Sequence, residues 1–151
     1  MRLLIQRVQW ARVNIAEKTV AQIGPGLLVF VGVGKDDCET DVRRCSRKVA
    51  GLRIFSDAEG KMNLDIRQAG SSILSVSQFT LYADIRHGNR PGFDQAALPE
   101  PAERLWQLFN ADLRQHGMSV CEGVFAADMD VELCNDGPVT IGYDSRRSEG
   151  E

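Results

Sequence analysis

The run Leu27-Leu28-Val29-Phe30-Val31-Gly32-Val33 is apolar throughout and follows the turn-forming residues Gly24-Pro25-Gly26. A continuous apolar run bounded by glycines favours a strand that is covered on both faces. Such a strand needs one layer of structure above it and another below it. The sequence therefore predicts a central sheet that contains Leu27–Val33.

Patterns on either side of this run predict further strands. Residues 2–15 alternate, but the phase changes between Ile5 and Ala11, which indicates a bulge or a bend. Asp136-Gly137 lies between two short apolar runs and is typical of a hairpin turn, although Pro138 removes one donor from the strand that follows. The remaining predicted strands are Thr19–Ile23, two segments within Ile54–Leu64, Ile73–Thr80, Ser119–Gly123, Met129–Leu133 and the second arm of that hairpin.

Two segments have the spacing of amphipathic helices. Asp36 and Asp37 suit the N-terminus of the first helix, and Pro99–His116 is the second, with Gly117 as its stop signal. Many strands and only two main helices predict an α/β protein with a mixed sheet, in a three-layer β/β/α sandwich-like single domain over residues 1–143. The polar segment 144–151 is predicted to be a disordered tail.

Composition limits the functional classes. The chain has 151 residues and a formal net charge of −3, which argues against a general nucleic-acid coat. No segment reaches the roughly 18 uninterrupted apolar residues of a membrane span, and the N-terminus lacks the apolar core of a signal peptide, so we expect a cytoplasmic protein. The four cysteines form no C-x-x-C pair, so free thiols are expected and no metal.

One basic run stands out within the first helix. Arg43, Arg44, Arg47 and Lys48 lie on the side opposite its apolar face. A run of this kind is either a solvated helix face or a phosphate contact, and the sequence leaves both readings open.

The residues offer no standard catalytic apparatus. Ile73–Thr80 mixes apolar residues at one end with polar residues at the other, which is typical of a strand that runs out of the core into a site. Ser77 lacks the G-x-S-x-G context of a hydrolase nucleophile, and His87 and His116 are the only histidines that could serve as its base. The H-E-x-x-H and P-loop motifs are absent as well.

Two short stretches change this reading. Ser77-Gln78-Phe79-Thr80 and Asn135-Asp136-Gly137-Pro138-Val139-Thr140 resemble the two signature motifs of the D-aminoacyl-tRNA deacylase family. The similarity covers about residues 1–143 and includes flanks such as Leu4-Ile5-Gln6-Arg7-Val8 and Phe125-Ala126-Ala127-Asp128-Met129. Gly92, where a serine is common, and the segment after Tyr143 depart from the family pattern.

The resemblance implies a function. Family members are homodimeric hydrolases that act in chiral proofreading: they cleave the ester of D-aminoacyl-tRNA, and of glycyl-tRNA mischarged on tRNA(Ala), and leave L-aminoacyl-tRNA intact. The Gly-Pro bond is cis in the family, and its loop crosses into the active site of the partner subunit. The resemblance implies no cofactor, no membrane and no DNA.

The resemblance also implies roles for residues. Backbone N–H groups around Gln78–Phe79 would form an oxyanion hole, and the ribose 2′-OH would assist the attacking water. Thr80 as a nucleophile is the rival mechanism. The catalytic residues would be Ser77, Gln78, Phe79 and Thr80; Gly137 and Pro138 would reject L-amino acids; Phe125, Met129 and Asn135 would line the pocket; Arg86, Arg90 and Lys61 would contact tRNA.

Recognition confined to the tRNA 3′ end predicts a weak salt dependence of binding, because few counterions are released. Two alternatives stay open. One is a non-catalytic dimeric module that binds RNA ends or proteins, and the other is a general esterase that uses Ser77 or Thr80.

Overall fold

The structure is a computed structural model that describes residues 1–147. The helices are α1 (Glu39–Gly51) and α2 (Pro99–Gln115), and a short 3-10 turn covers Phe79–Tyr82. The strands are β1 (Arg2–Ile15), β2 (Lys18–Ile23), β3 (Gly26–Gly32), β4 (Phe55–Ser56), β5 (Met62–Leu64), β6 (Ser72–Ser77), β7 (Ser119–Glu122) and β8 (Asp130–Asp144).

The main sheet is mixed. Its strand order is β2-β1-β3-β6-β7, and β8 also pairs with β1. β1 is antiparallel to β2, β3 and β8, whereas β3, β6 and β7 are mutually parallel. A mixed sheet with two helices confirms the predicted α/β class, and β4 and β5 form a separate two-stranded sheet.

β3 is covered on both faces, as its apolar sequence predicted. Leu27, Val29 and Val31 are fully buried in the core that includes residues of α1 and α2. Leu28 faces a second core, which is closed by the distal half of β1 and by β2. β2 also contacts β6 and β7 across this second core, which gives the three predicted layers.

The phase change in β1 is real and has a clear consequence. The pairing of β1 with β8 shifts register between Gln6 and Val8 and again between Val8 and Trp10. Ile5 therefore points into the first core, whereas Val8 and Ala11 point into the second. A bulge lets one strand contribute to two cores.

The predicted hairpin at Asp136-Gly137 is wrong. β8 runs antiparallel to β1 on both sides of this position, with Asn135 opposite Val8 and Thr140 opposite Gln6. Residues 136–139 therefore lie opposite Arg7 alone and protrude from the strand; we call them the β8 bulge. Because β1 offers pairing partners on both sides of Asp136-Gly137, β8 continues as one strand with a bulge and does not turn back on itself.

Three smaller predictions need correction. α1 begins at Glu39 with Cys38 as its N-cap, and the carboxylate of Asp37 accepts hydrogen bonds from the Met1 ammonium and from the Gly34 N–H instead of capping the helix. β6 ends at Ser77 instead of Thr80. The predicted disorder from Asp144 is wrong as far as residue 147, because Ser145 is fully buried and hydrogen-bonded to the first residues of the chain.

Residues 148–151 of the predicted tail lie outside the described residues. Within residues 1–147, neither helix has the length and apolar character needed to cross a membrane.

Candidate active site

A pocket of about 620 Å³ lies beyond the carboxyl ends of β3 and β6. In open α/β sheets this edge is where ligands bind. The loop before α2, the first turn of α2 and the loop between β7 and β8 complete its walls. The lining residues are Val33, Val76, Ser77, Gln78, Phe79, Phe93, Ala96, Ala97, Leu98, Pro99, Ala102, Phe125, Ala126, Ala127, Asp128, Met129 and Val131.

The backbone changes direction at the end of β6. The Gln78 N–H donates to the Val31 carbonyl at 2.8 Å, which ties this position to β3. The first hydrogen bond of the 3-10 turn runs from the Leu81 N–H to the Gln78 carbonyl at 3.3 Å. The N–H groups of Phe79 and Thr80 precede that bond and have no acceptor within the turn. Of the amides expected to form an oxyanion hole, that of Gln78 is therefore already engaged.

Three of the four predicted catalytic residues meet in the pocket. Ser77, Gln78 and Phe79 line it, whereas the exposed Thr80 does not and contacts Gln78 through a hydrogen bond from Nε2 to Oγ1. The Phe79 ring is 53% exposed and packs edge-on against Phe93, with the ring centroids 4.9 Å apart. The apolar wall that these rings form is thus open to solvent in the single chain.

The 3-10 turn is anchored from below by Tyr82. Its hydroxyl donates to the buried carboxylate of Asp37 at 3.1 Å, and burial, followed by that carboxylate, raises the pKa of the phenol. The ring occupies space left by missing side chains, since a Cβ on Gly34 would lie 2.7 Å from it. Gly32 lies under the same turn, where a Cβ would be 3.1 Å from the Gln78 carbonyl oxygen. Sequence reasoning missed this support.

The loop between β7 and β8 forms the opposite wall. Phe125 and Met129 both line the pocket and are half-buried. Ala126 between them has φ of +59°, a conformation that residues with a side chain rarely adopt. Asp128 is the only ionisable residue among the described lining residues, and it is exposed. The sequence did contain a signal for Asp128 as a lining residue, because it stands next to Met129 in the matching flank.

A serine–histidine pair is not assembled. His87 lies in the exposed loop after Asp84, and His116 follows α2, where its Nε2 is 3.8 Å from Asp112. Neither histidine lines the pocket that contains Ser77. Within residues 1–147, no three His, Cys, Asp or Glu side chains are placed to hold a metal ion.

Gly137 and Pro138 lie outside the pocket of their own chain. Both are exposed on the β8 bulge, and the peptide bond between them is cis. Asn135, predicted to line the pocket, is exposed at the base of this bulge and does not line the pocket of its own chain. A single chain therefore does not bring the two motifs together.

Arg7 holds the β8 bulge from below. Its Nε donates to the Asp136 carbonyl at 3.1 Å, and the guanidinium lies 3.3 Å from the Asp136 carboxylate. A second donor, Nη1, bonds the Ile54 carbonyl at 2.5 Å. A Cβ on Gly137 would lie 2.8 Å from the same guanidinium. Sequence analysis gave Arg7 no role, although it stands in the matching flank Leu4–Val8.

The predicted tRNA contacts are exposed and do not line the pocket. Hydrogen bonds from Arg86 hold the pKa of Asp84 well below its usual range, and Asp84 is bonded in turn to the backbone of Gly92. Lys61 lies 3.2 Å from Glu59 on the turn between β4 and β5. Arg90 is exposed in the loop that Asp84 and Gly92 close. The three cations thus remain predicted tRNA contacts on the surface outside the pocket.

The mixed sheet and the pocket at the carboxyl ends of β3 and β6 define a small α/β protein with a ligand pocket, and comparisons with known proteins identify its family. The family model described as D-Tyr-tRNA(Tyr) deacylase matches residues 4–144. A D-aminoacyl-tRNA deacylase from Symbiobacterium thermophilum is 52% identical over 148 residues, which is 98% of each chain. One from Klebsiella pneumoniae is 56% identical over 138 residues, which is 91% of this chain and 95% of the relative.

Two solved structures share this fold. A protein described as c-Myc DNA unwinding element binding protein superposes with a TM-score of 0.90 at 34% identity, covering 95% of this chain and 98% of the other. A probable eukaryotic D-amino acid tRNA deacylase shares the fold, with a TM-score of 0.81 at 17% identity over 94% of this chain and 97% of the other. The chain belongs to the D-Tyr-tRNA(Tyr) deacylase family.

Proposed function

We propose that this protein is a D-aminoacyl-tRNA deacylase, which hydrolyses the ester between a D-amino acid and the 3′-terminal adenosine of tRNA. Similarity to named deacylases over almost the whole chain supports this assignment. The observation that carries it is the pocket at the end of β6, which is lined by Ser77, Gln78 and Phe79 and whose described lining contains no histidine, cysteine or lysine. It adjoins a 3-10 turn in which the amides of Phe79 and Thr80 have no acceptor. An activated ester needs charge stabilisation more than a side-chain nucleophile.

The proposed reaction uses the backbone and the substrate. Water attacks the ester carbonyl carbon, and the developing oxyanion accepts hydrogen bonds from the N–H groups of Phe79 and Thr80. One such donor is worth about 3–4 kcal/mol in other enzymes. The vicinal 2′-OH positions the water and relays its proton to the 3′ oxygen as the carbon–oxygen bond breaks. The products are the free amino acid and tRNA with a 3′-OH.

A covalent route through Thr80 has less support. Its hydroxyl accepts a hydrogen bond from Gln78, and a threonine needs a base to become a good nucleophile. Ser77 lines the pocket but has no histidine partner there. The Gln78 amide suits orientation of the substrate or of the water.

Chiral selection is assigned to Gly137 and Pro138. Gly137 and Pro138 are exposed on the β8 bulge, which suits their insertion into the pocket of a second subunit. Backbone carbonyls there would clash with any substituent in the L position of the substrate Cα, and a clash discriminates more strongly than a missing contact. Glycine has no such substituent, so glycyl-tRNA(Ala) should also be cleaved. The proposal requires a homodimer with its sites at the interface.

The four cysteines are unpaired, which supports a reducing compartment, and we propose the cytoplasm.

Paired assays with D-Tyr-tRNA and L-Tyr-tRNA test the function. We expect hydrolysis of the D ester alone; no hydrolysis of the D ester would end the enzyme assignment, and equal rates would end the chiral one. Ser77→Ala and Thr80→Ala should keep most of the rate if the backbone acts, whereas loss of a nucleophile would cost several orders of magnitude. A substrate that ends in 2′-deoxyadenosine should react far more slowly.

A further inference from the structure

We propose that a basic groove along α1 binds the sugar–phosphate backbone of the substrate tRNA, outside the contacts made by its 3′ end. The groove has a volume of about 790 Å³ and shares no lining residue with the pocket. One wall is the exposed face of α1 with Arg43, Arg47 and Lys48, and the other is Tyr143 of β8. We call it the α1 groove. The inference rests on the proposed function in that tRNA is taken as the substrate.

The charges in the groove are concentrated and weakly neutralised. Arg47 and Lys48 are exposed, and within residues 1–147 neither has a carboxylate at ion-pair distance. Arg43 pairs with Glu39 at 3.1 Å, but Arg104 shares the same carboxylate at 3.3 Å, and exposed pairs of this kind are weak. Neighbouring like charges on one helix face destabilise it slightly unless an anion lies between them. This cluster occurs in a chain whose net charge is −3.

The shape of the groove suits a nucleic-acid strand. Arg43 and Arg47 are one helical turn apart and can each hold a phosphate with two N–H donors. The Lys48 ammonium lies 5.8 Å from the centre of the half-buried Tyr143 ring, which offers a flat surface for a ribose or a base. A Cβ on Gly51 would meet no atom within 4 Å, so the end of the groove is open. An extended polyanion can therefore pass through it.

A second copy of the chain fits this surface poorly. A two-fold interface centred on the groove would bring the three cations of one copy close to those of the other, and like charges across an interface are strongly disfavoured. Phosphates of the acceptor arm carry the complementary charge. The sequence predicted a weak salt dependence of tRNA binding. The groove predicts a clear one instead, because each phosphate contact releases counterions.

The test compares two double variants that lose the same charge. Arg47→Gln with Lys48→Gln removes two groove cations, and Lys18→Gln with Arg67→Gln removes two exposed cations from β2 and from the loop before β6. Binding of fluorescent, non-acylated tRNA is measured by anisotropy between 50 and 200 mM salt. Two lost phosphate contacts should reduce the slope of log K against log salt by about 1.5, which is about an eightfold smaller loss of affinity over this range.

Each outcome decides the proposal. It is supported if the groove variant alone flattens the slope and if Arg47→Lys, which keeps the charge, retains it. It is overturned if the groove variant keeps the wild-type slope, if the control flattens it equally, or if sedimentation shows that the groove variant has lost self-association instead.

A catalytic readout separates this inference from the proposed function. The ratio of kcat/KM for D-Tyr-tRNA to that for the D-tyrosyl ester of adenosine should fall in the groove variant, mostly through KM, and the fall should be about eightfold larger at 50 mM than at 200 mM salt. Wild-type protein that hydrolyses both esters, together with an unchanged ratio and slope in the variant, would reject the groove and keep the function. Wild-type protein that hydrolyses neither ester, but shows the groove-dependent slope, would reject the function and keep the groove.

Discussion

Gly32→Ala should reduce catalysis while leaving the protein folded, because Gly32 lies directly under the 3-10 turn. An added Cβ would lie 2.9 Å from Leu81 Cβ and 3.1 Å from the Gln78 carbonyl oxygen. Ordinary contacts begin near 3.4 Å, so the turn must rise by about 0.5 Å. Neither atom can move aside alone, because the Gln78 oxygen belongs to the backbone and the Leu81 Cβ is bonded directly to it.

The shift should affect both stability and catalysis. Overpacking of this kind costs about 1–3 kcal/mol, partly offset by about 0.5–1 kcal/mol because alanine suits a strand better than glycine. Oxyanion donors must lie within a few tenths of an ångström of their ideal position, and a 1 Å error can cost about 10²-fold. For a shift of about 0.5 Å we expect kcat on D-Tyr-tRNA to fall by about tenfold, with little change in KM.

The assay is steady-state deacylation of D-Tyr-tRNA, which gives kcat and KM, with thermal unfolding measured alongside. Gly24→Ala is the matched control, because a Cβ there would meet nothing within 4 Å, and it should match the wild type in both measurements. A folded Gly32→Ala protein with kcat within twofold of the wild type would refute the idea that the turn positions the reacting groups. A loss confined to KM would refute it as well.

Variants at three further positions test separate features of the structure. Arg7→Lys cannot bond both the Ile54 and the Asp136 carbonyls, so the ratio of D-Tyr-tRNA to L-Tyr-tRNA cleavage should fall in paired assays; an unchanged ratio would contradict this. Burial opposes ionisation of Asp41, but its hydrogen bonds outweigh burial and lower its pKa below 3.8. The ionised carboxylate therefore stabilises the fold above about pH 4, and this stabilisation is lost as the pH falls further. Asp41→Asn should lower the free energy of unfolding by about 2 kcal/mol at pH 7. In a plot of the urea unfolding midpoint against pH, the variant should show a smaller decrease at acidic pH than the wild type. Ala126→Val should lower stability by about 1–3 kcal/mol at its positive φ, whereas Ala126→Gly should be tolerated, and equal thermal midpoints would argue against strain at this loop.

Much of the fold could be predicted because its signals are local. The apolar run of β3 reports burial on both faces, and the phase change in β1 reports the bulge at Val8. The periodicity of α2 reports the single face that it buries. Each pattern depends on a few neighbouring residues, whose periods differ clearly between helix and strand.

The β8 bulge could not be predicted in the same way. Asp136-Gly137 supplies a flexible, polar pair that suits both a hairpin turn and a bulge, and Gly137 adopts φ of +122° here. The choice between them depends on β1, which lies more than a hundred residues earlier in the sequence and offers partners on both sides. α1 shows the same limit, because Asp37 has a suitable side chain for a cap but its carboxylate is engaged by Met1.

Some residues of the candidate site could be predicted from the sequence and others could not. Ser77–Phe79 and Gly137-Pro138 were identified through their resemblance to family motifs, since neither motif carries a recognisable catalytic side chain. Gly32 and Tyr82 were missed because their role depends on packing between elements that are distant in sequence. Glycine in an apolar strand and tyrosine after a polar segment have many ordinary explanations, so only the contacts reveal what they support.

β1 links the two motifs mechanically. Arg2 at its start donates to the Leu81 carbonyl at 3.0 Å and lies over the Tyr82 ring, so it holds the 3-10 turn. Arg7 on the same strand holds the β8 bulge. A strand is stiff over five residues, about 17 Å, so the position of the bulge is fixed relative to the pocket of its own chain. If the bulge of each subunit meets the pocket of the other across a two-fold axis, the distance between bulge and pocket within one chain sets the geometry at both sites, because symmetry repeats that distance in the partner. Chiral selection and catalysis would then depend on the same strand, and a change in β1 should alter both together.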